Sequence, residues 1–132
     1  MEAPPVGTPN IDRECWEVHN LVRQNPKSLI PDLEEMLTRF KGKFITDNDG
    51  IRIQTKEGPK AVQEAIDFLK AAKPLLPLGW KNGLKNATKD HTEDTGPKGI
   101  TGHDGSDRSK SIDRIKRYGK MGFGGGENIS YG

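Results

Sequence analysis

Asn25-Pro26, Gly42, Gly58-Pro59, Pro74, Gly96-Pro97 and Gly119 cut this chain into short lengths. Proline lacks an amide hydrogen and glycine tolerates left-handed backbone, so each break stops a helix or starts one. A chain punctuated this way must be assembled from short elements joined by polar loops. Between the breaks, apolar residues recur at helical spacing. Ile11, Cys15, Val18 and Val22 form one stripe, with Asn10 as its candidate cap. A second helix is expected from about Ser28 to Phe40, burying Leu29, Leu33, Met36 and Phe40. A third follows Gly58-Pro59 and turns Val62, Ile66 and Leu69 inward until Pro74. A fourth is expected over Trp80–Thr95, with Trp80, Leu84, Ala87 and His91 on one face. A short fifth lies near Ser111 to Tyr118. Only Lys43 to Thr55 reads as β, with KFIT and IRIQT flanking the turn DNDG. The fold class is therefore mixed α/β, one domain over residues 10–132 behind an irregular arm, 1–9, that holds three prolines.

Charge narrows the partners. Lys and Arg number 21 against 19 Asp and Glu, a net charge of +2, too even to argue for nucleic acid or a membrane surface. Only 31% of residues are hydrophobic, which predicts a thin core. No run approaches the roughly 18 apolar residues of a transmembrane segment. MEAPPVGTPN has neither the basic start nor the apolar run of a signal peptide. Cys15 stands alone, so no intrachain disulfide can form. These features together predict a cytoplasmic or other intracellular protein. A secreted one is the alternative, since a removed leader would leave the same sequence.

Several motifs fail on chemistry. A calcium loop with Gly50 at its sixth position would start at Ile45 and end at Lys56, and neither can ligate calcium. GFGGGEN places Glu127 where a dinucleotide fingerprint needs glycine, and a carboxylate there repels phosphate. Lys110, Arg114 and Arg117 around Ile112 and Ile115 read as a solvated basic face. Cys15 has no basic neighbour to activate it and reads as packing. His19 has no spaced partner. His91, on the stripe of Trp80 and Ala87, reads as a buried structural histidine that must find a hydrogen bond. His103 differs, because Gly102 and Gly105 bound its loop, where functional groups concentrate. Glu127 follows a glycine run that lets backbone approach closely. His103 and Glu127 are expected to converge on one polar cleft. His103 and Glu127 are a partial metal site, two ligands where zinc needs at least three, so the chain alone is expected to bind no zinc tightly.

These strings together resemble the CAP superfamily: cysteine-rich secretory proteins, antigen 5 and pathogenesis-related proteins, also called SCP domains. HNLVRQNP at 19–26 resembles the helix that opens those domains. LGWKNGLKNATKDHTEDTGPKG at 78–99 resembles their next signature helix. GHDGSD at 102–107, DRIKRYG at 113–119 and GGENISYG at 125–132 resemble the segment from the first cavity histidine to the Gly-Glu-Asn motif. The resemblance covers roughly residues 10–132 and is closest to the disulfide-free form of bacteria and protists. It implies an α-β-α sandwich whose cavity is lined by two histidines and two acidic residues, with a divalent metal such as zinc in many members. His103 corresponds to the first cavity histidine and Glu127 to the first cavity glutamate. Trp80, His91 and Asn128 take structural places. The second histidine and second acid come later in the family pattern, so the resemblance implies the amino-terminal part of such a domain. Arg108 stands where related sequences often have glycine, predicting a differently turned loop.

Three functions follow as expectations. The first is a non-catalytic binding module for a lipid, sterol or protein ligand. The second is a structural subunit of a larger intracellular assembly, held by protein partners. The third is a metal-assisted hydrolase using His103 and Glu127, although no serine or cysteine is placed beside a histidine as a nucleophile.

Overall fold

The computed structural model describes residues 1–131. It contains helices and one small antiparallel sheet, so the class is mixed α and β. The chain divides into two compact units. One is Ala3–Gly79 with Met1, and the other is Trp80–Gly132 with Glu2. Among the described residues, no helix is long and apolar enough to cross a membrane.

The first unit opens on an arm with a turn at Pro5. Its carbonyl accepts from the Thr8 hydroxyl at 2.9 Å and from Arg13 at 3.0 Å. Helix α1 runs Asn10–Gln24. Pro9, not Asn10, takes the cap position, with φ −51° and ψ 141°, and no side chain caps the helix. Proline's fixed φ sets the entry, which leaves Asn10 as the first helical residue. Asn25 ends α1, because the residue before Pro26 avoids helical backbone. The expected second helix is split. Pro26–Leu29 is a 3₁₀ turn, and α2 spans only Ile30–Thr38. Phe40 leaves that helix and starts a strand.

Three short strands follow in the order β1-β2-β3: Phe40–Lys41, Phe44–Thr46 and Arg52–Gln54. Phe40 pairs with Ile45, and Ile45 with Ile53. The hairpin is expected from sequence; its extra strand is not. Asp47 closes the turn, its Oδ1 accepting the amides of Asp49 at 3.0 Å and Ile51 at 2.7 Å. Such side-chain acceptors are why Asp and Asn populate tight turns. Helix α3, Pro59–Ala71, then packs on α2 and buries Ile66 and Leu69, the face its periodicity predicts.

Helix α1 contradicts its periodicity. Ile11 and Val18 are 67% and 51% exposed, and Cys15 is exposed rather than packed. The covered face carries Trp16, Asn20 and Arg23. These bind the backbone of the connector at Leu75–Leu78. Asn20 donates to the Leu78 carbonyl at 3.0 Å and accepts its amide at 2.7 Å. Trp16 donates to the same carbonyl at 2.9 Å, and Arg23 to that of Leu76 at 3.0 Å. An extended connector brings amides and carbonyls unpaired by its own backbone, and here the polar side chains of α1, with the Arg23 carbonyl, satisfy them. That need overrides the apolar stripe.

The second unit packs α4, Asn82–Thr95, against α5, Ser111–Arg117. Gly83 permits the approach: a Cβ there would lie 3.0 Å from the Tyr118 carbonyl. Trp80 precedes α4 instead of belonging to it, and its indole donates to Asn82 at 2.9 Å. Ala87, His91 and Thr95 form the buried face of α4, whereas Leu84, expected there, is exposed. A 3₁₀ turn, Gly96–Lys98, continues the helix into the long loop that carries His103.

Candidate functional site

The loop between α4 and α5 is held by its own carboxylates. Asp94, from the last turn of α4, accepts the Ser106 amide at 2.7 Å and hydroxyl at 2.5 Å, and pairs with Lys98. Asp107 accepts the Ser109 amide at 2.9 Å and Arg117 at 2.8 Å. Arg117 also reaches Asp90 at 3.1 Å, which accepts the Tyr118 hydroxyl at 2.6 Å. Lys110 pairs with Asp104 at 2.5 Å. Hydrogen bonds to the ionised form lower an acid's pKa. Those from Lys98 and then Ser106 hold Asp94 far below the usual carboxylate range. Those from Ser109 lower Asp107 to about 2. Arg108 takes the left-handed backbone its position requires, at φ 67°, the only non-glycine residue described with positive φ.

Within this frame the backbone at Gly102 is clamped from two sides. His91, buried on α4, bonds the Gly102 carbonyl through Nε2 at 2.8 Å. With the carbonyl as acceptor, Nε2 carries the proton. The Gly102 amide donates to the Tyr131 hydroxyl at 2.6 Å. Gly102 has φ 109°, outside the reach of side-chain-bearing residues. The clamp fixes where His103 begins.

His103 and Glu127 come together as a pair, Nδ1 to Oε1, at 3.0 Å. The His103 side chain is 59% exposed, while Glu127 is nearly covered at 10%. The residue that sequence reasoning missed lies beneath them. Arg114 was read as part of a solvated basic face and is instead 1% exposed. Its Nη2 donates to both oxygens of Glu127, at 3.0 and 2.9 Å. It also donates to the carbonyls of Ser109 at 2.9 Å and His103 at 3.1 Å. A signal existed: a carboxylate expected inside a cleft demands a nearby cation, and DRIKRYG lies between His103 and Glu127. Burial pushes the Glu127 carboxyl up, but hydrogen bonds from His103 and Arg114 outweigh it and leave its pKa lowered.

The other residues are placed more simply. Trp80 is half-buried. Asn128 is exposed, and its side chain makes no hydrogen bond among the described residues. His19 bonds only the Cys15 carbonyl one turn back, at 2.7 Å. A cleft of about 300 Å³ opens behind the clamp, bordered by His91, Thr95, Ile100, Ile129 and Tyr131. No group of three or more His, Cys, Asp or Glu side chains is arranged to hold a metal among the described residues. His103 and Glu127 make two candidate ligands, and Glu127 already has Arg114 on both oxygens. Among the described residues these two are fewer than the three protein ligands that a zinc centre needs.

Compared with known proteins, the chain matches no family model, no curated protein and no solved structure.

Proposed function

We propose that this chain is a CAP-type, non-catalytic binding module in which His103 presents an imidazole to a small ligand. The supporting observation is the His103–Glu127 contact of 3.0 Å on an imidazole left 59% exposed. One ring nitrogen is used internally, and no bond from the other is seen among the described residues. Glu127 orients the ring, and Arg114 holds Glu127 ionised beside it. The reading joins this pair to the CAP resemblance, whose cavity it would partly line within an α-β-α sandwich. The ligand class drawn from that resemblance is a lipid or sterol carrying a polar head. Catalysis is disfavoured by chemistry. Glu127 is committed to Arg114, and an acid held ionised by a buried guanidinium is a poor proton donor near neutral pH.

The test is an NMR titration of the ¹⁵N-labelled chain with oleate and, separately, with cholesterol sulfate. Saturable shifts centred on the His103 ring and the Gly102 amide, lost in His103→Ala, are expected with at least one probe. Absence of shifts with both, or shifts that persist in His103→Ala, would refute the reading.

A further inference from the structure

The chain sets an asparagine or aspartate before glycine at three places: Asp49-Gly50, Asn82-Gly83 and Asp104-Gly105. At such a junction no side chain shields the glycine nitrogen, which can attack the side-chain carbonyl one residue back. The three junctions differ in whether that nitrogen is free. The Gly50 amide donates to the Asp47 carbonyl at 3.2 Å, and the Gly105 amide to that of Ser109 at 2.9 Å. The Gly83 amide lies in the first turn of α4, where amides have no partner within the helix. No bond from it is seen among the described residues. Asn82 is exposed, and a cleft of about 490 Å³ that both residues border opens the peptide to water.

The side chain of Asn82 is held as well. Its Oδ1 accepts the Trp80 indole N–H at 2.9 Å. As the glycine nitrogen attacks Cγ, negative charge gathers on that oxygen. A donor already aimed at it binds the transition state more tightly than the ground state.

We propose that Asn82 is a self-modifying site, at which the Gly83 nitrogen closes on Asn82 Cγ with the help of the Trp80 indole. The nitrogen gives its proton to hydroxide, and its electron pair forms the N–Cγ bond. The Cγ–Nδ2 bond breaks, and the leaving amide takes a proton from water and departs as ammonia. The ring so formed is a succinimide. Water opens it at either carbonyl and leaves aspartate or isoaspartate at position 82. Nothing is oxidised or reduced, and water is the co-reactant. Closing the ring requires the first turn to open. That releases the amides of Leu84 and Lys85, which share one acceptor, the Lys81 carbonyl, at 3.0 and 3.2 Å. Helix ends open at less cost than helix interiors. Asn86 lies one turn inside, with the buried Ala87 after it, and lacks that freedom.

The two products act in opposite directions. Aspartate places a carboxylate in a first turn that has no acid and no side-chain cap, which favours the helix. Isoaspartate routes the backbone through the side chain and lengthens it where Gly83 packs under the Tyr118 carbonyl. The close approach of α4 to α5 then loosens.

Timed incubation of the whole chain near neutral pH, followed by peptide mapping with mass spectrometry, tests this. Deamidation is expected first at Asn82, about tenfold faster than at Asn86, with a rate that rises with hydroxide. Labelling with an isoaspartyl methyltransferase is expected to find isoaspartate at position 82, a product that hydrolysis without the ring does not give. Trp80→Phe is expected to slow the reaction about threefold to tenfold in the folded chain, and to have no effect in urea, where the indole no longer faces Asn82. Deamidation at Asn82 no faster than at Asn86, or without isoaspartate, overturns the proposal on the native chain alone. A folded Trp80→Phe chain that reacts at the native rate or faster overturns the part given to the indole.

Discussion

Arg114 and Glu127 form a two-point contact, with Nη2 3.0 and 2.9 Å from the two carboxylate oxygens and the Arg114 side chain only 2% exposed. A guanidinium buried that deeply is tolerable only if its charge and donors are answered. Glu127 answers the charge, and the carbonyls of Ser109 and His103 take further donors.

Removing one member should therefore cost more than removing both. Arg114→Met leaves Glu127 without its cation and the His103 carbonyl without this donor, and should destabilise by about 2–4 kcal/mol. Adding Glu127→Gln to it should recover part of that loss. Urea denaturation followed by circular dichroism measures both. A loss in the double variant equal to the sum of the losses in Arg114→Met and Glu127→Gln would show that the ion pair carries no net coupling.

Stability should also fall in acid. The Glu127 carboxyl has a lower pKa folded than its ordinary 4.5. The unfolded chain then takes up its proton first as pH falls. The stability owed to this group is fully present above the unfolded value and is lost as pH drops through the folded one. Asp94 and Asp107, both lowered, act in the same direction at still lower pH. Urea midpoints from pH 7 to 3 should decline below about pH 5, less steeply in Glu127→Gln. An identical slope in that variant would remove Glu127 from the account.

Gly105 is a steric requirement. A Cβ there would lie 2.6 Å from Asp107 Oδ1 and 2.7 Å from Ser109 Oγ. Asp107 is held by the Ser109 amide and Arg117, so it cannot simply swing away. Gly105→Ala should cost about 1–3 kcal/mol. Arg108→Gly should go the other way. Relief of left-handed strain, about 1–2 kcal/mol, exceeds the entropy glycine adds to the unfolded chain, about 0.5–1 kcal/mol. Calorimetry should show the melting temperature falling in the first and rising by a few degrees in the second.

Asn20 supplies both halves of an amide pair to Leu78, across 58 residues of sequence. Asn20→Ala would leave the Leu78 amide without its acceptor and the Leu78 carbonyl with Trp16 as its remaining donor. A loss of about 2 kcal/mol is expected, measured by urea denaturation. A neutral outcome would mean water replaces the side chain at no cost.

These cases show where sequence was readable. Helix α3 was legible because Gly58-Pro59 starts it and Val62, Ile66 and Leu69 share a face that α2 covers. The hairpin was legible because Asp47 and Gly50 carry turn chemistry in their own side chain and backbone. Periodicity reports that a helix has an apolar face; it says nothing of what lies against that face. Helix α1 was misread for that reason, since a distant connector needed Asn20 more than the core needed Val18. The meeting of His103 with Glu127 was readable from the glycines that free both loops. Arg114 was misread on its own pattern, because a long cationic side chain between two isoleucines looks the same whether it points out or in; only the need of Glu127 for a cation marked it.

The clamp on Gly102 has a consequence for how anything is recognised beside it. His91 and Tyr131 hold its two backbone polar groups from residues far apart in the chain. Three carboxylates tie the remainder of the loop to itself and to its flanking helices. A loop anchored at so many points loses its freedom when the protein folds, not when a ligand arrives. A visitor to His103 would meet a template instead of a closing hand. Selection there would rest on fit to a fixed outline, with fast entry and little entropy lost by the protein.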